Sequence, residues 1–191
     1  MPLLNSASGY GAVTKICHWL VVVLFACQYG LAAMMLRTPD DGTIFGLRQS
    51  TGYDWHKSLG LIVLLVMVAR LVNRRAGTLP PWAATITDVE KIIIHRGEQL
   101  LYILMFVMPV SGLIHVFAGG YGVRLFGVVD LPYPIGRNAA IGGIALWVHV
   151  VTSKLLLLPL GAHLFLVLGH HFGLRDRLIA RMLPARRPDS G

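Results

Sequence analysis

The sequence predicts an all-α integral membrane protein, a bundle of four helices forming a single domain over residues 1–191. Three observations predict it. Hydrophobic residues make up 55% of the chain and charged ones only 14%, with a mean hydropathy of +0.65. Soluble domains are nearer 45–50% apolar and about 25% charged. The apolar residues gather into four segments almost free of charge, each long enough to cross a bilayer. The basic residues flank those segments, so the net charge of +8 belongs to the membrane boundary and predicts no nucleic-acid partner.

The first span covers residues 16–36, preceded by Lys15 and followed by the turn-forming TPDDG at 38–42. No small-residue cleavage pattern follows a short apolar core, so it reads as an anchor and not a removable signal. The second span runs over 55–72 and ends in Asn73, Arg74 and Arg75. The third covers 99–117, contains Pro109, and is followed by Gly119 and Gly120. The fourth runs over 141–172 with Pro159 in its interior and Lys154 as its single charge. Proline is tolerated in membrane helices because neighbouring groups satisfy the freed carbonyl. Cys17 and Cys27 share the first span about 15 Å apart, too far to bridge, and no C-x-x-C-H occurs.

The basic residues set an orientation. With the N-terminus inside, the cytoplasmic set is Lys15, Arg70, Arg74, Arg75, Lys91, Arg96, Arg175, Arg177, Arg181, Arg186 and Arg187. The other side keeps Arg37, Arg48, Lys57, Arg124 and Arg137. The positive-inside rule then puts both termini in the cytoplasm of a multi-pass plasma-membrane protein. The basic run over 175–187 reads as a solvated anchor, with lipid contact as the alternative.

Within this frame the histidines carry the chemistry. His149 and His163 are fourteen residues apart, differing by about 40° around an α-helix and about 21 Å along it. Ionisable side chains inside a membrane span are functional candidates. Helix direction gives each histidine a depth: His18 inner, His56 outer, His149 outer, His163 inner. Two pairs match, His56 with His149 and His18 with His163. Each offers one nitrogen from each of two helices, as two axial bonds to a haem iron between helices require. The predicted architecture is therefore a four-helix bundle with two haems between the helices, bound by coordination alone. Filled axial positions leave no open site for oxygen, which points to electron transfer.

The remaining polar residues are open to two readings. His95 and His115 lie at opposite interfaces, about 200° apart around the third helix, and make a poor ligand pair. Each reads as interfacial or hydrogen-bonding, with a haem propionate or a quinone as the alternative. His170 follows His163 by seven residues, back on nearly the same face about 10 Å further inward. There it would meet a quinone carbonyl and exchange a proton, or else complement a solvated helix end. His171 points elsewhere. Arg70 repeats the fourteen-residue spacing from His56, near inner-haem depth, as a propionate partner or a snorkelling cation. Gly60, one turn from His56, admits a flat macrocycle or close helix packing. Lys154 contacts an outer-haem group or snorkels.

These residues resemble the bacterial cytochrome b561 family of small two-haem, four-helix membrane cytochromes, over nearly the whole chain. The matching features begin with Ile16-Cys17-His18-Trp19, then His56 with Gly60 and Arg70, then His95-Arg96-Gly97. They continue with Met108-Pro109-Val110-Ser111-Gly112, Leu131-Pro132-Tyr133, the pair His149/His163, and HHFGLRDRLIARMLP at 170–184. Val148 precedes His149 where the family has tryptophan, and Trp147 stands one place earlier.

The resemblance implies two haem b groups, with His18 and His163 as iron ligands of the inner one and His56 and His149 of the outer one. It implies ubiquinone as electron acceptor, with His170 at the position to meet it. It further implies a superoxide:ubiquinone oxidoreductase-like activity in a bacterial inner membrane. Basic Lys57, Arg48, Arg124 and Arg137 against Asp40, Asp41, Asp54 and Asp130 would steer superoxide only weakly. The alternatives are a cytochrome subunit that links a partner dehydrogenase or hydrogenase to quinone, and a non-catalytic haem carrier or sensor. Beyond these redox partners, the membrane lipid is the partner every reading shares.

Overall fold

In the computed structural model, α1 spans Ala12–Arg37, α2 Gln49–Ala76, α3 Asp88–Ala118 and α4 Ala139–Leu168. The structure describes residues 2–40, 42–132, 134, 136–176 and 178–183. Asp41, Tyr133, Arg177, Pro184, Arg186 and Arg187 lie outside them. The all-α, four-helix expectation holds, and each helix is long and apolar enough to cross a membrane. Each also extends beyond its apolar run. Polar turns outside the hydrocarbon layer keep the helical backbone satisfied where hydropathy has already fallen.

α1 packs chiefly on α2 and α3 on α4, and α2 meets α3 to join the two pairs. The buried core is small: Val21, Leu24, Phe25, Val63, Met67, Met108 and Leu156. Most large apolar side chains face outward, as the all-round hydrophobicity of a membrane helix requires. Tyr29 on α1 donates to the Ser153 carbonyl of α4 at 2.6 Å, giving its hydroxyl a partner inside the bundle.

The bundle has two distinct ends. Two short hairpins cover one of them, β1 (Thr43–Ile44) with β2 (Leu47–Arg48) and β3 (Arg124–Leu125) with β4 (Val129–Asp130). These hairpins were not foreseen, because strands of two residues carry no periodicity. Phe126 N–H donates to Ser58 Oγ at 2.8 Å, which fastens the second hairpin to α2. The opposite end holds residues 2–14 and the last described segment, 178–183. Asn5 Oδ1 accepts from Gly11 N–H and Thr14 Oγ1, and Asn73 donates to Thr14. A short helix α5 (Leu178–Met182) closes over this end, where Trp19 Nε1 donates to the Met182 carbonyl at 2.9 Å. Arg181 donates to the Pro81 carbonyl and lies 5.7 Å above the Tyr10 ring, so this member of the basic run is docked and not free in solvent.

The fourth helix departs from the sequence expectation. α-Helix continues only to Leu168, and Gly169–Leu174 forms a π-helical segment that ends at Arg175 in the left-handed region (φ 57°). A π-turn bonds five residues back, not four, so the α-helical spacing of seven from His163 to His170 no longer returns to one face.

Candidate functional site

Two imidazole pairs form inside the bundle at different depths. His56 of α2 faces His149 of α4 with ring centres 6.1 Å apart and planes at 84°. His18 of α1 faces His163 of α4 at 6.4 Å and 64°. These are the pairs that depth matching predicts, the first toward the hairpin end and the second toward the terminal end. A first-row metal binds imidazole nitrogen at about 2.0–2.1 Å, and each ring centre lies about 1 Å behind that nitrogen, so two axial rings stand about 6 Å apart. Both pairs match that separation. Among the described residues no three His, Cys, Asp or Glu side chains converge on a metal position. Two imidazoles alone suit an iron whose remaining ligands arrive with it, as in haem.

The hairpin-end pair draws on all four long helices. His149 Nδ1 lies 2.7 Å from the Met108 carbonyl, so it carries the ring proton and leaves the Nε2 lone pair for a metal. The Met108-Pro109-Val110-Ser111-Gly112 motif is the seat of this ring. A Cβ on Gly112 would lie 2.8 Å from His149 Nδ1, so only glycine lets the ring lie against α3. His56 Nδ1 is buried and, among the described residues, has no hydrogen-bond partner. The amide of Gln28, from α1, donates to the His56 carbonyl at 3.0 Å. That amide also fills the space beside Gly60, where an added Cβ would meet Gln28 Nε2 at 3.2 Å. Gly60 therefore serves close packing of α1 on α2. Sequence reasoning missed Gln28, although an uncharged amide in the middle of an apolar span was a visible signal.

At the terminal-end pair, Arg70 Nη1 donates to His18 Nδ1 at 3.1 Å and Nε donates to the Tyr102 hydroxyl. Arg70 thus reaches the pair itself and does not snorkel away. A guanidinium only donates, so His18 here holds its proton on Nε2. Ligation through Nε2 requires Arg70 to release Nδ1, which a carboxylate beside the pair would favour. Arg74 pairs with Glu98 just beyond.

The other histidines are placed as follows. His115 Nδ1 lies 2.9 Å from the Gly142 carbonyl, linking α3 to α4. His95 is exposed and meets Gln99. His171 lies edge-on to Phe172. His170 differs from expectation: it is only 4% exposed, and carboxylates hold both ring nitrogens. Nδ1 lies 2.6 Å from Asp176 and Nε2 lies 3.1 Å from Glu90. Neither nitrogen is left for a quinone carbonyl in this geometry, because the π-segment turns the ring toward the start of α3. Thr85 also donates to Asp176, whose carboxyl titrates below its usual range. Burial pushes that value up, but bonds from Thr85, His170 and the Leu178 N–H outweigh it.

At the hairpin end, Lys57 is paired with Asp54 at 3.0 Å, and Arg124 lies 3.8 Å from Asp130. Trp147 is 67% exposed on the outer face of α4.

A profile of the family described as prokaryotic cytochrome b561 matches residues 9–185. The chain is 24% identical to "Cytochrome b561 homolog 2" of Escherichia coli (strain K12), over the full length of both. It is 23% identical to "Probable superoxide oxidase CybB" of Yersinia pestis, over 89% of this chain and 93% of that protein. It is 24% identical to "Cytochrome b561 homolog 1" of Escherichia coli (strain K12), over 89% and 94%.

Proposed function

The chain belongs to the prokaryotic cytochrome b561 family, whose members bind haem b and transfer electrons in membranes, and on that premise we propose that it oxidises superoxide at its periplasmic face and reduces ubiquinone in the membrane. The observation that carries this reading is the pair of imidazole pairs, 6.1 Å and 6.4 Å between ring centres, stacked at two depths along α4. Haem, when bound, supplies a reversible one-electron iron couple at each depth. His56 and His149 would hold the outer haem, and His18 and His163 the inner one. Arg70, already beside His18, is the cation for the inner haem's carboxylates. The name of the Yersinia pestis relative supports superoxide as donor.

The electron count closes. Two superoxide anions each lose one electron and leave as dioxygen; one ubiquinone gains two electrons and two protons. The protons belong to the cytoplasmic end, where His170 between Asp176 and Glu90 is a proton store. His170 acts there through its carboxylate partners and not as a direct quinone contact.

Stopped-flow mixing of the purified protein with superoxide should reduce the haem bands, and added ubiquinone should reoxidise them. His170→Ala should leave both haem spectra intact and slow reoxidation by ubiquinone. Absence of haem reduction by superoxide overturns the proposed donor. Reduction only by a co-purifying dehydrogenase or hydrogenase would make this chain that enzyme's cytochrome subunit.

A further inference from the structure

We propose that the outward face of α4 around Lys154 is the docking surface for a membrane-spanning helix of another polypeptide, one that carries a carboxylate near the middle of the bilayer. The inference stands on the membrane bundle alone and not on the superoxide reading. Lys154 is the single charge of the fourth apolar run and is exposed on the outside of the bundle. It makes no hydrogen bond or ion pair with any described residue. By helix rise it stands about 22 Å from the start of α4 at Ala139 and about 21 Å from its end at Leu168. A lysine chain reaches about 6 Å, whereas the hydrocarbon layer extends about 15 Å to either side of its middle. Lys154 therefore does not snorkel to either boundary. It also lies about 140° around the helix from His149, away from the outer pair.

A charge at that depth is costly unless it is paired. This chain holds no counter-charge for it. All nine acidic residues lie outside the apolar runs 16–36, 55–72, 99–117 and 141–172. A second copy of the chain would bring the same lysine and no carboxylate at this depth, and lipid phosphates lie at the headgroups. The counter-charge belongs to another polypeptide, and a spanning helix presents one there with its own backbone satisfied.

The face around Lys154 has the shape to take such a helix. Gly143, Trp147, Leu158, Gly161 and Phe165 all project within about 40° of Lys154 around α4. Trp147, Leu158 and Phe165 are 67%, 71% and 82% exposed. An added Cβ on Gly143 or Gly161 would meet nothing within 4 Å, so no packing among the described residues calls for glycine there. Glycines on an outward face let a second backbone approach closely, and the large side chains between them give it contact. Lipid alone accounts for the apolar residues of this face and not for its lysine.

The test uses the full-length protein with a fluorescent protein fused after Gly191, in phosphatidylcholine vesicles. The probe is a synthetic polyleucine spanning peptide with a single central Glu and an acceptor dye. Energy transfer should show the Glu peptide associating about tenfold more tightly than the same peptide with a central Gln. Lys154→Leu should remove that preference. Lys154→Glu should instead prefer a peptide with a central Lys, and Gly161→Leu should weaken association of the Glu peptide without touching the charge. The proposal is overturned if the Glu and Gln peptides associate alike with the wild-type protein, or if Lys154→Leu keeps the preference. Self-association of the wild-type chain that Lys154→Leu or Gly161→Leu abolishes would also overturn it, by making a second copy the occupant.

Discussion

An imidazole in a membrane helix becomes useful only when its second nitrogen is settled. His149 shows the complete case: the Met108 carbonyl takes Nδ1–H, and Gly112 gives the ring room. His18 shows the contested case, with Arg70 donating to Nδ1. These local differences make the two proposed haem sites chemically unlike, although each has two histidines. They also predict how single substitutions sort. His56→Ala and His149→Ala should each remove the same low-spin haem component, and His18→Ala and His163→Ala the other. Absorption spectra of the four purified variants check this, and loss of one shared component from His56→Ala and His163→Ala would break the pairing.

At the scale of elements, the terminal end is held by one clamp that joins three segments. Glu90 closes the capping box at the start of α3, accepting from Thr87 N–H, and gives its other oxygen to His170 of the π-segment. Asp176, just past that segment, accepts from His170 and from Thr85 in the preceding loop. The lowered pKa of Asp176 has a definite sign. A carboxyl whose folded pKa lies below its unfolded value stabilises the fold above the unfolded pKa and loses that contribution as pH falls through the folded pKa. Hydrogen exchange over residues 169–176 should therefore be slow at neutral pH and rise on acidification below the ordinary aspartate range. Asp176→Asn should abolish that pH step. Asp176→Asn also removes the carboxylate that His170 and Thr85 share, so this variant should melt at a lower temperature. An unchanged acid step in Asp176→Asn would show that another group carries it.

Across the whole molecule, charge and shape divide the bundle into unlike ends. The terminal end gathers Lys15, Arg74 and Arg181 around the described segments 2–14 and 178–183, while the hairpin end pairs Lys57 with Asp54 and sets Arg124 against Asp130. Basic residues at membrane borders stay on the cytoplasmic side. A fluorescent protein fused after Gly191 should therefore fluoresce, and alkaline phosphatase at the same place should be inactive. The reverse pattern would invert the proposed faces for superoxide and quinone.

The sequence by itself determined the four helices, their order, and the four histidines that pair. Hydropathy, run length and helical spacing are properties of each segment alone, so they survive without knowledge of neighbours. His56 with His149 and His18 with His163 followed from direction and depth, which antiparallel helices of similar length leave little freedom to change. Tertiary structure alone decided what completes each site. Met108 lies 41 residues from His149, Gln28 lies 28 from His56, and Glu90 lies 80 from His170. No periodicity links residues so far apart, and hydrogen bonds between helices depend on rotation about each axis to within a fraction of a turn. The π-segment makes the same point within one helix. The step from His163 to His170 assumed a uniform α-twist, and one change of hydrogen-bond register redirected His170 from the membrane face to a buried pair of carboxylates.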